Sequence, residues 1–325
     1  MDAALVLHQH VQSLHRLWHK VFTLFLHIKG GFDNMDSSVL LSLLPHKGLS
    51  PYLILWIGFF LRDSICRLTF QGSPPIFTPV SVGVPQGSPI SPLLFVIYVS
   101  SLYTDIPNGL TISYPDDFTI TVASRSYRTN IHLFQKACSA LERNVTPRNI
   151  SFAVAKTELI HWRTPRENQT PCRLPVHLEG QAFYPQTSLR WLGILFTLSF
   201  DPRAHFSCRL SPAKGAFAAI RRLSPPSIGL PPHLCLTLAR SLLAPICLYC
   251  SAVWLPSPCI MDTMSVFWRW VCRWTTNCFS TTNSICLYKE ACPPPWPAWS
   301  ATSIPCGALG SSVPPRRSTQ LPLVS

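Results

Sequence analysis

Two adjacent carboxylates are the first residues in this sequence with an evident chemical use. Asp116 and Asp117 lie between two short runs rich in strand-forming residues, 110–114 and 118–122, a pattern that predicts a hairpin with both acids at its turn. Two carboxylates at a tight turn repel each other unless a cation lies beside them. Mg²⁺, held by carboxylates and substrate phosphates, is the usual cation. By itself the segment is more typical of an ordinary solvated turn, because Asp is a common turn former.

A loop rich in glycine and proline precedes the hairpin. Residues 83–95 read GVPQGSPISPLLF and run into an apolar helix. Gly87 would let the backbone approach a ligand closely, and the amide of Gln86 offers both hydrogen-bond donors and acceptors. A plain loop-to-helix junction with serine caps is the alternative for this segment alone. The loop and the hairpin together are far more specific for one protein family than either segment by itself.

A third segment, residues 25–34, reads FLHIKGGFDN and ends a run of apolar residues, 21–28, that predicts a buried strand. The three segments, in this order, resemble the reverse transcriptases of non-LTR (LINE-like) retrotransposons, and within them the fungal elements. The resemblance covers residues 2–293. It extends to a lysine motif at Lys156, to a short primer-grip strand at 190–193, and to the helical thumb region of these elements at 205–232 and 242–254.

The resemblance implies an RNA-directed DNA polymerase, a nucleotidyltransferase that acts on an RNA template, a DNA primer and dNTPs. Such enzymes hold two Mg²⁺ ions between a carboxylate on the first strand and the hairpin carboxylates. The implied metal ligands are Asp116 and, more weakly, Asp117. The residues implied to contact nucleotide, template or pyrophosphate are Gly30, Gly31, Phe32, Gln86, Gly87 and Lys156.

Each of these positions has an implied role. Phe32 would be the steric gate that rejects a 2′-hydroxyl, and backbone N–H groups near Gly30 and Gly31 would bind phosphates. Gln86 and Gly87 would contact nucleotide and template. Lys156 would lie near the leaving pyrophosphate.

The sequence departs from the family at the first-strand carboxylate. That position, five residues before the gate aromatic, is His27. Imidazole is a poor ligand for Mg²⁺ and brings no negative charge. Pro115 also replaces a small or branched residue and is expected to distort the hairpin turn. With the fingers largely missing upstream, these features predict a truncated, degenerate copy with impaired catalysis.

Composition favours a polyanionic partner. The 325 residues carry 27 Lys and Arg against 14 Asp and Glu, a formal charge of +13, and phosphate neutralisation by such a surplus releases counterions. The longest apolar runs, 52–61 and 241–255, are shorter than the roughly 18–20 residues that span a bilayer, which argues against a membrane-associated protein. No secretory signal is visible, so we expect an intracellular protein, in nucleus or cytoplasm, with reduced cysteines.

The element pattern predicts an α+β fold. We expect a helical leader at 1–20, a reverse-transcriptase palm with an antiparallel sheet and packed helices at 21–200, and a helical thumb-like region at 201–290. A disordered or frameshifted tail is predicted at 291–325. Strands are predicted at 152–162 and 188–196. The pair Cys247 and Cys250 has zinc-ligand spacing but lies in an apolar helix, where cysteine is more often a core residue.

Two functions from different classes follow. The first is a reverse transcriptase domain that is impaired because His27 replaces a metal-binding aspartate. The second is a non-catalytic remnant that binds nucleic acid through its basic surface. The sequence leaves the oligomeric state unknown.

Overall fold

The computed structural model describes residues 2–291 except 63, 81, 104–105, 107–108, 149, 164–173, 224–228 and 255–256. The predicted tail lies outside the described residues from 292 onward. The chain forms two compact units: Met1–Pro212 with Ile246–Ser257, and Ala213–Pro245 with the chain from Pro258 onward. The domain boundaries given above remain predictions.

The strands are β1 (Lys20–His27), β2 (Ser64–Leu68), β3 (Ile76–Val80), β4 (Gly109–Tyr114), β5 (Asp117–Ser124), β6 (Glu158–Trp162), β7 (Val176–Leu178), β8 (Gln181–Phe183), β9 (Pro185–Gln186), β10 (Ser188–Trp191) and β11 (Ile194–Thr197). The helices are α1 (Asp2–Arg16), α2 (Ser37–Leu43), α3 (Pro51–Leu61), α4 (Ser91–Ser100), α5 (Tyr127–Val145), α6 (Pro202–Leu223), α7 (Pro232–Cys247), α8 (Ser251–Trp254), α9 (Pro258–Thr275) and α10 (Ser284–Ala291). Short 3₁₀ turns occupy Pro45–Lys47, Thr146–Arg148 and Val154–Lys156.

The first unit contains a five-stranded sheet in the order β4-β5-β1-β6-β9. β1 is the central strand and pairs antiparallel with both β5 and β6. Its nearly continuous apolar sequence fits this position, because a central strand covered on both faces lacks polar alternation. The two-residue strand β9 runs parallel to β6, whereas the other neighbouring strands described in this sheet pair antiparallel. The expected α+β architecture, an antiparallel sheet with packed helices, is therefore confirmed.

Buried residues of α4 and α5 form one core with β1 and β5, and α5 contributes Phe134 and Leu141. Inside the sheet, the Trp162 indole N–H donates to the Thr23 hydroxyl at 2.7 Å, and the Thr23 and Thr121 hydroxyls are 2.9 Å apart. This buried polar chain joins the three central strands β5, β1 and β6. These hydrogen bonds hold β1, the strand that ends at His27, against its two neighbours.

Two predicted strands differ in the structure. Only the last part of 152–162 is a strand, because Val154–Lys156 forms a 3₁₀ turn. The run 188–196 is a hairpin of β10 and β11, in which Trp191 pairs with Ile194. Leu192 and Gly193 form its two-residue turn, with φ of 48° and 74°. Positive φ at both turn positions is the usual way to close so short a loop.

The second unit is helical. Phe217 on α6 lies 4.7 Å from the Trp270 ring and 5.6 Å from the Trp274 ring, both on α9.

Of the helices within the described residues, none is long and apolar enough to cross a membrane. In the first unit, Cys247 is buried, and burial raises the pKa of its thiol to about 11, which agrees with a core role.

Candidate active site

The hairpin of β4 and β5 presents the two acids as the sequence predicts. Tyr114 pairs with Asp117, so the loop consists of Pro115 and Asp116 alone. Pro115 lies where no ladder hydrogen bond is required, and the hairpin closes around it. The Ile28 N–H donates to the Asp116 carbonyl at 2.8 Å, which ties the turn to the end of β1. The pairing of β4 and β5 thus continues up to the residues on either side of this two-residue loop.

His27 lies directly opposite Asp117 at the end of β1. Its Nδ1 is 3.0 Å from Asp117 Oδ1, and its Nε2 is 3.6 Å from Asp116 Oδ2. The imidazole is 22% exposed, against 45% for Asp116 and 32% for Asp117. The predicted proximity of His27 and Asp116 on neighbouring segments is confirmed, and the ring contacts both acids at once.

The pair of Mg²⁺ ions implied by the resemblance does not fit this donor set. His27 brings a ring nitrogen without negative charge, 3.6 Å from Asp116 Oδ2, to the position where Mg²⁺ prefers an anionic oxygen. Within the described residues, no three His, Cys, Asp or Glu side chains form a metal-binding group.

A cleft of about 430 Å³ adjoins the histidine. Its lining residues are Phe25, Leu26, His27, Asp117, Ala155, Lys156, Glu158, Arg190 and Trp191. Lys156 and Arg190 bring positive charge, which suits a phosphate-bearing ligand. Burial raises the pKa of the Glu158 carboxyl, which therefore holds its proton to a higher pH than a solvated glutamate. The backbone turn at Val154–Lys156 carries Lys156 to this cleft.

The loop that follows β1 is docked on the glycine-rich loop before α4. The Val84 N–H donates to the Phe32 carbonyl at 2.9 Å, and Gln86 Nε2 donates to Asp33 Oδ1 at 2.7 Å. Gly83 has a φ of +91°, and a Cβ there would lie 2.8 Å from two backbone oxygens of the first loop. A side chain at position 83 would thus separate the two loops.

Phe32 is partly buried by this docking. Its ring stacks on Phe95 with centroids 4.6 Å apart. A Cβ on Gly31 would lie 2.5 Å from the same Phe95 ring, so glycine is required there for the aromatic pair to form. Gly87 differs, because no atom lies within 4 Å of the position of its Cβ. The backbone at Gly87 is therefore open to a ligand.

The predicted residues thus form two groups joined by the chain from His27 to Gly30. One group, around the cleft, contains His27, Asp116, Asp117 and Lys156. The other, on the paired loops, contains Gly30, Gly31, Phe32, Gln86 and Gly87. Sequence reasoning assigned no role to Glu158, Arg190 or Trp191, which also line the cleft. Their only sequence signal was their place within the lysine and primer-grip motifs.

The family described as reverse transcriptase (RNA-dependent DNA polymerase) matches residues 2–196. The RNA-directed DNA polymerase from the mobile element jockey of Drosophila melanogaster is 24% identical over 200 residues, which are 59% of this chain and 21% of the relative. A 115 kDa protein of the type-1 retrotransposable element R1DM, from the same organism, is 26% identical over 233 residues, or 71% of this chain and 22% of the relative. The chain thus spans about a fifth of the length of these curated relatives.

Among solved structures, the chain is similar to telomerase from Candida albicans in complex with a fragment of telomeric RNA. The TM-score is 0.48 with 11% identity, covering 88% of this chain and 53% of that one. Apo telomerase from Candida tropicalis gives a TM-score of 0.43 with 12% identity over 83% of this chain and 50% of that one. Scores this low carry no argument about function.

Proposed function

The chain belongs to the reverse transcriptase (RNA-dependent DNA polymerase) family, and from that premise we propose that it is the polymerase domain of a non-LTR retrotransposon in which nucleotidyl transfer is impaired at His27. One observation carries the proposal. The imidazole of His27 occupies the first-strand position and contacts both hairpin aspartates, at 3.0 Å and 3.6 Å. Template RNA, primer DNA and dNTPs are the proposed ligands.

The impairment follows from the charge and donor type at position 27. Divalent cations in this family activate the primer 3′-hydroxyl and neutralise the triphosphate, which requires anionic oxygen on both sides of the ions. Imidazole supplies nitrogen without negative charge, and here it also engages the remaining carboxylates. Loss of one preorganised electrostatic contact typically costs about 10²–10³ in rate, and a metal ligand is expected to cost at least as much.

We propose that the nucleotide-binding parts are retained. Phe32, whose ring stacks on Phe95, is the proposed gate under the sugar. The Gln86 side chain donates a hydrogen bond to Asp33. Its proposed role is therefore to hold the loop that brings the Gly87 backbone to the nucleotide. Lys156, exposed at the rim of the cleft, is the proposed partner of the pyrophosphate. The proposed palm is 21–200 and the proposed thumb-like region 201–290.

Primer extension on an RNA template tests this proposal. The unaltered chain and His27→Asp are compared in Mg²⁺ and in Mn²⁺, with Asp116→Ala added to each as the inactive control. The expected result is little incorporation by the unaltered chain and a gain of about 10²-fold or more in His27→Asp. Equal rates for the two proteins, both abolished by Asp116→Ala, would show that position 27 does not limit the reaction.

A second candidate function, sequence-tolerant nucleic-acid binding without catalysis, is favoured by exposed pairs of arginine and aromatic side chains. Arg67 lies over the Phe77 ring at 5.9 Å on the β2–β3 hairpin, and Arg62 lies over the Phe59 ring at 5.6 Å. Phe77 is 63% exposed and Phe59 is 62% exposed. Single-stranded nucleic acids bind to such surfaces because bases stack on aromatic rings while cations neutralise phosphates.

Fluorescence anisotropy with labelled single-stranded RNA over a salt series tests this second function. Phe77→Ala is expected to weaken binding about 5- to 150-fold, the range for one stacked base, and Arg67→Ala to reduce the salt slope by about one. Arg143→Ala is the matched control, since Arg143 is exposed on α5. If Arg143→Ala and Arg67→Ala have equal effects, binding is diffuse and the hairpin has no special part in it.

Fungal origin and a degenerate state of the gene are also proposals, supported by the motif resemblance and by His27. The degenerate state is tested by translating the encoding DNA in the other reading frames after codon 293. Family-like sequence in another frame is expected. Its absence from both frames would count against a frameshift.

A further inference from the structure

The tip of the β10–β11 hairpin is a two-residue turn that its own sequence does not favour. Leu192 has a φ of 48°, in the left-handed region that a leucine side chain disfavours. The strand that leads into this turn brings Arg190 and Trp191 to the cleft beside His27. Contacts from outside the hairpin must therefore help to hold the turn, and with it the residues that reach the cleft.

Two side chains hold the turn through its two carbonyl groups. The Tyr249 hydroxyl donates to the Leu192 carbonyl at 2.9 Å. Arg209 Nη2 donates to the carbonyl of Gly193. The Arg209 guanidinium also lies over the Tyr249 ring, 4.3 Å from its centroid, so each side chain supports the other. A Cβ on Gly193 would lie 3.2 Å from the Tyr249 ring, so glycine allows the tyrosine to approach the turn.

The elements that carry these two side chains are anchored within the first unit. Tyr249 follows α7, and its carbonyl accepts the Trp254 indole N–H at 2.9 Å. Arg209 lies on α6, about one turn after His205, whose Nδ1 accepts the Leu195 N–H at 3.1 Å. Burial lowers the pKa of the His205 imidazole and favours the neutral ring, which has an acceptor nitrogen. The hairpin is thus bound at its turn and on the strand that follows.

We propose that Tyr249 and Arg209 are positioning residues, which hold the hairpin so that Arg190 meets the anionic backbone of a primer–template bound in the cleft. Arg190 is among the described residues that line the cleft, whereas the two positioning residues are not. They therefore act through the hairpin. A charged hydrogen bond to phosphate spans only about 2.7–2.9 Å, so a small displacement of the strand breaks it. The inference rests on the proposed function, because the primer–template is the ligand of that function.

Binding of a labelled primer–template over a salt series tests the proposal. The probe is a DNA primer annealed to an RNA template, with a recessed 3′ end and without dNTPs, and binding is followed by fluorescence anisotropy. Tyr249→Phe removes one hydroxyl group. Arg209→Lys keeps the positive charge but loses the planar fork, so neither variant changes the charge of the chain. Tyr184→Phe is the matched control, because Tyr184 is exposed between β8 and β9.

Arg190→Ala is expected to weaken binding and to reduce the salt slope by about one, the effect of one lost phosphate contact. Tyr249→Phe and Arg209→Lys should weaken binding about 2- to 10-fold, the range for one hydrogen bond, and should reduce the salt slope in the same direction. Tyr184→Phe should leave both quantities unchanged. A lower salt slope without a change of charge reports a cation displaced from phosphate, which a merely structural role would not produce.

Each charge-conserving variant is then combined with Arg190→Ala. No further loss of affinity is expected, because the residue that each variant displaces is already absent. Losses that add in full to that of Arg190→Ala would overturn the proposal. Should one variant lose its fold, as judged by circular dichroism, the other decides, since each breaks a different hydrogen bond at the turn.

Failure here is distinguishable from failure of the proposed function. Primer–template binding that is equal in the unaltered chain and in both variants overturns the positioning role alone. Robust incorporation by the unaltered chain in Mg²⁺ overturns the proposed impairment, whatever these variants do. A chain that binds no primer–template overturns both.

Discussion

Replacing His27 with aspartate should make the stability of the protein depend on Mg²⁺. The substitution removes a ring that contacts Asp117 at 3.0 Å and Asp116 at 3.6 Å, and it adds a third carboxylate at the end of β1. Without a cation the three carboxylates repel one another. With a divalent cation they form the all-oxygen donor set that Mg²⁺ prefers.

The size of the effect follows from the distances. A carboxylate at position 27 lies within about 5 Å of each neighbour, and a pair of like charges at that distance costs about 3 kcal/mol at an effective dielectric constant of 20. The acids are exposed by 45% and 32%, so solvent screening reduces this to about 1 kcal/mol per pair. The two pairs together should lower Tm by roughly 4–8 °C in EDTA.

Binding of Mg²⁺ should reverse this loss. A ligand at 100 times its Kd stabilises the native state by about 2.7 kcal/mol, enough to offset the repulsion. Scanning calorimetry of the unaltered chain and of His27→Asp, each in EDTA and in 10 mM-scale Mg²⁺, measures both effects. Adding Asp116→Asn to His27→Asp should remove most of the Mg²⁺ response. A Tm of His27→Asp that does not change with Mg²⁺ would show that the three carboxylates form no cation site.

Three further substitutions test the packing around the site. Gly31→Ala should cost about 1–3 kcal/mol in urea unfolding because its Cβ would lie 2.5 Å from an aromatic ring of α4, whereas Gly215→Ala, with no atom within 4 Å, should be neutral or stabilising. Thr23→Val should cost about 1–3 kcal/mol, since it leaves the buried Trp162 N–H without its acceptor; an unchanged unfolding midpoint would contradict this. Burial raises the pKa of Glu158, so the folded protein favours the protonated form and loses stability as pH rises through that pKa. Glu158→Gln should therefore raise Tm at pH 7 relative to the unaltered chain and leave it nearly unchanged at pH 4.

The strand and hairpin that carry the site were predictable because their patterns are local. Residues 21–28 form one apolar run, and two strand-forming runs bracket the acids, so β1, β4 and β5 follow from propensity and turn chemistry. Their order along the chain then predicted that His27 and Asp116 would be close. The apolar helix before the hairpin was equally evident from its composition.

Other features depend on contacts that no local pattern encodes. The hairpin turn at Leu192 and Gly193 requires a leucine at φ 48°, a conformation that its side chain disfavours and that only the surrounding fold imposes. The hydrogen bond from Gln86 to Asp33 joins residues far apart in sequence. The position of the His27 ring between two carboxylates is set by its rotamer and by the register of β1 on β5, so its double contact could not be read from the sequence.

We propose that the unaltered chain is a reverse transcriptase domain with impaired nucleotidyl transfer. Single-nucleotide incorporation by the unaltered protein on an RNA template with a DNA primer, in Mg²⁺, measures it most directly. We expect a rate at or near that of Asp116→Ala, together with a gain of about 10²-fold or more in His27→Asp. Robust incorporation by the unaltered protein that Asp116→Ala abolishes would contradict it.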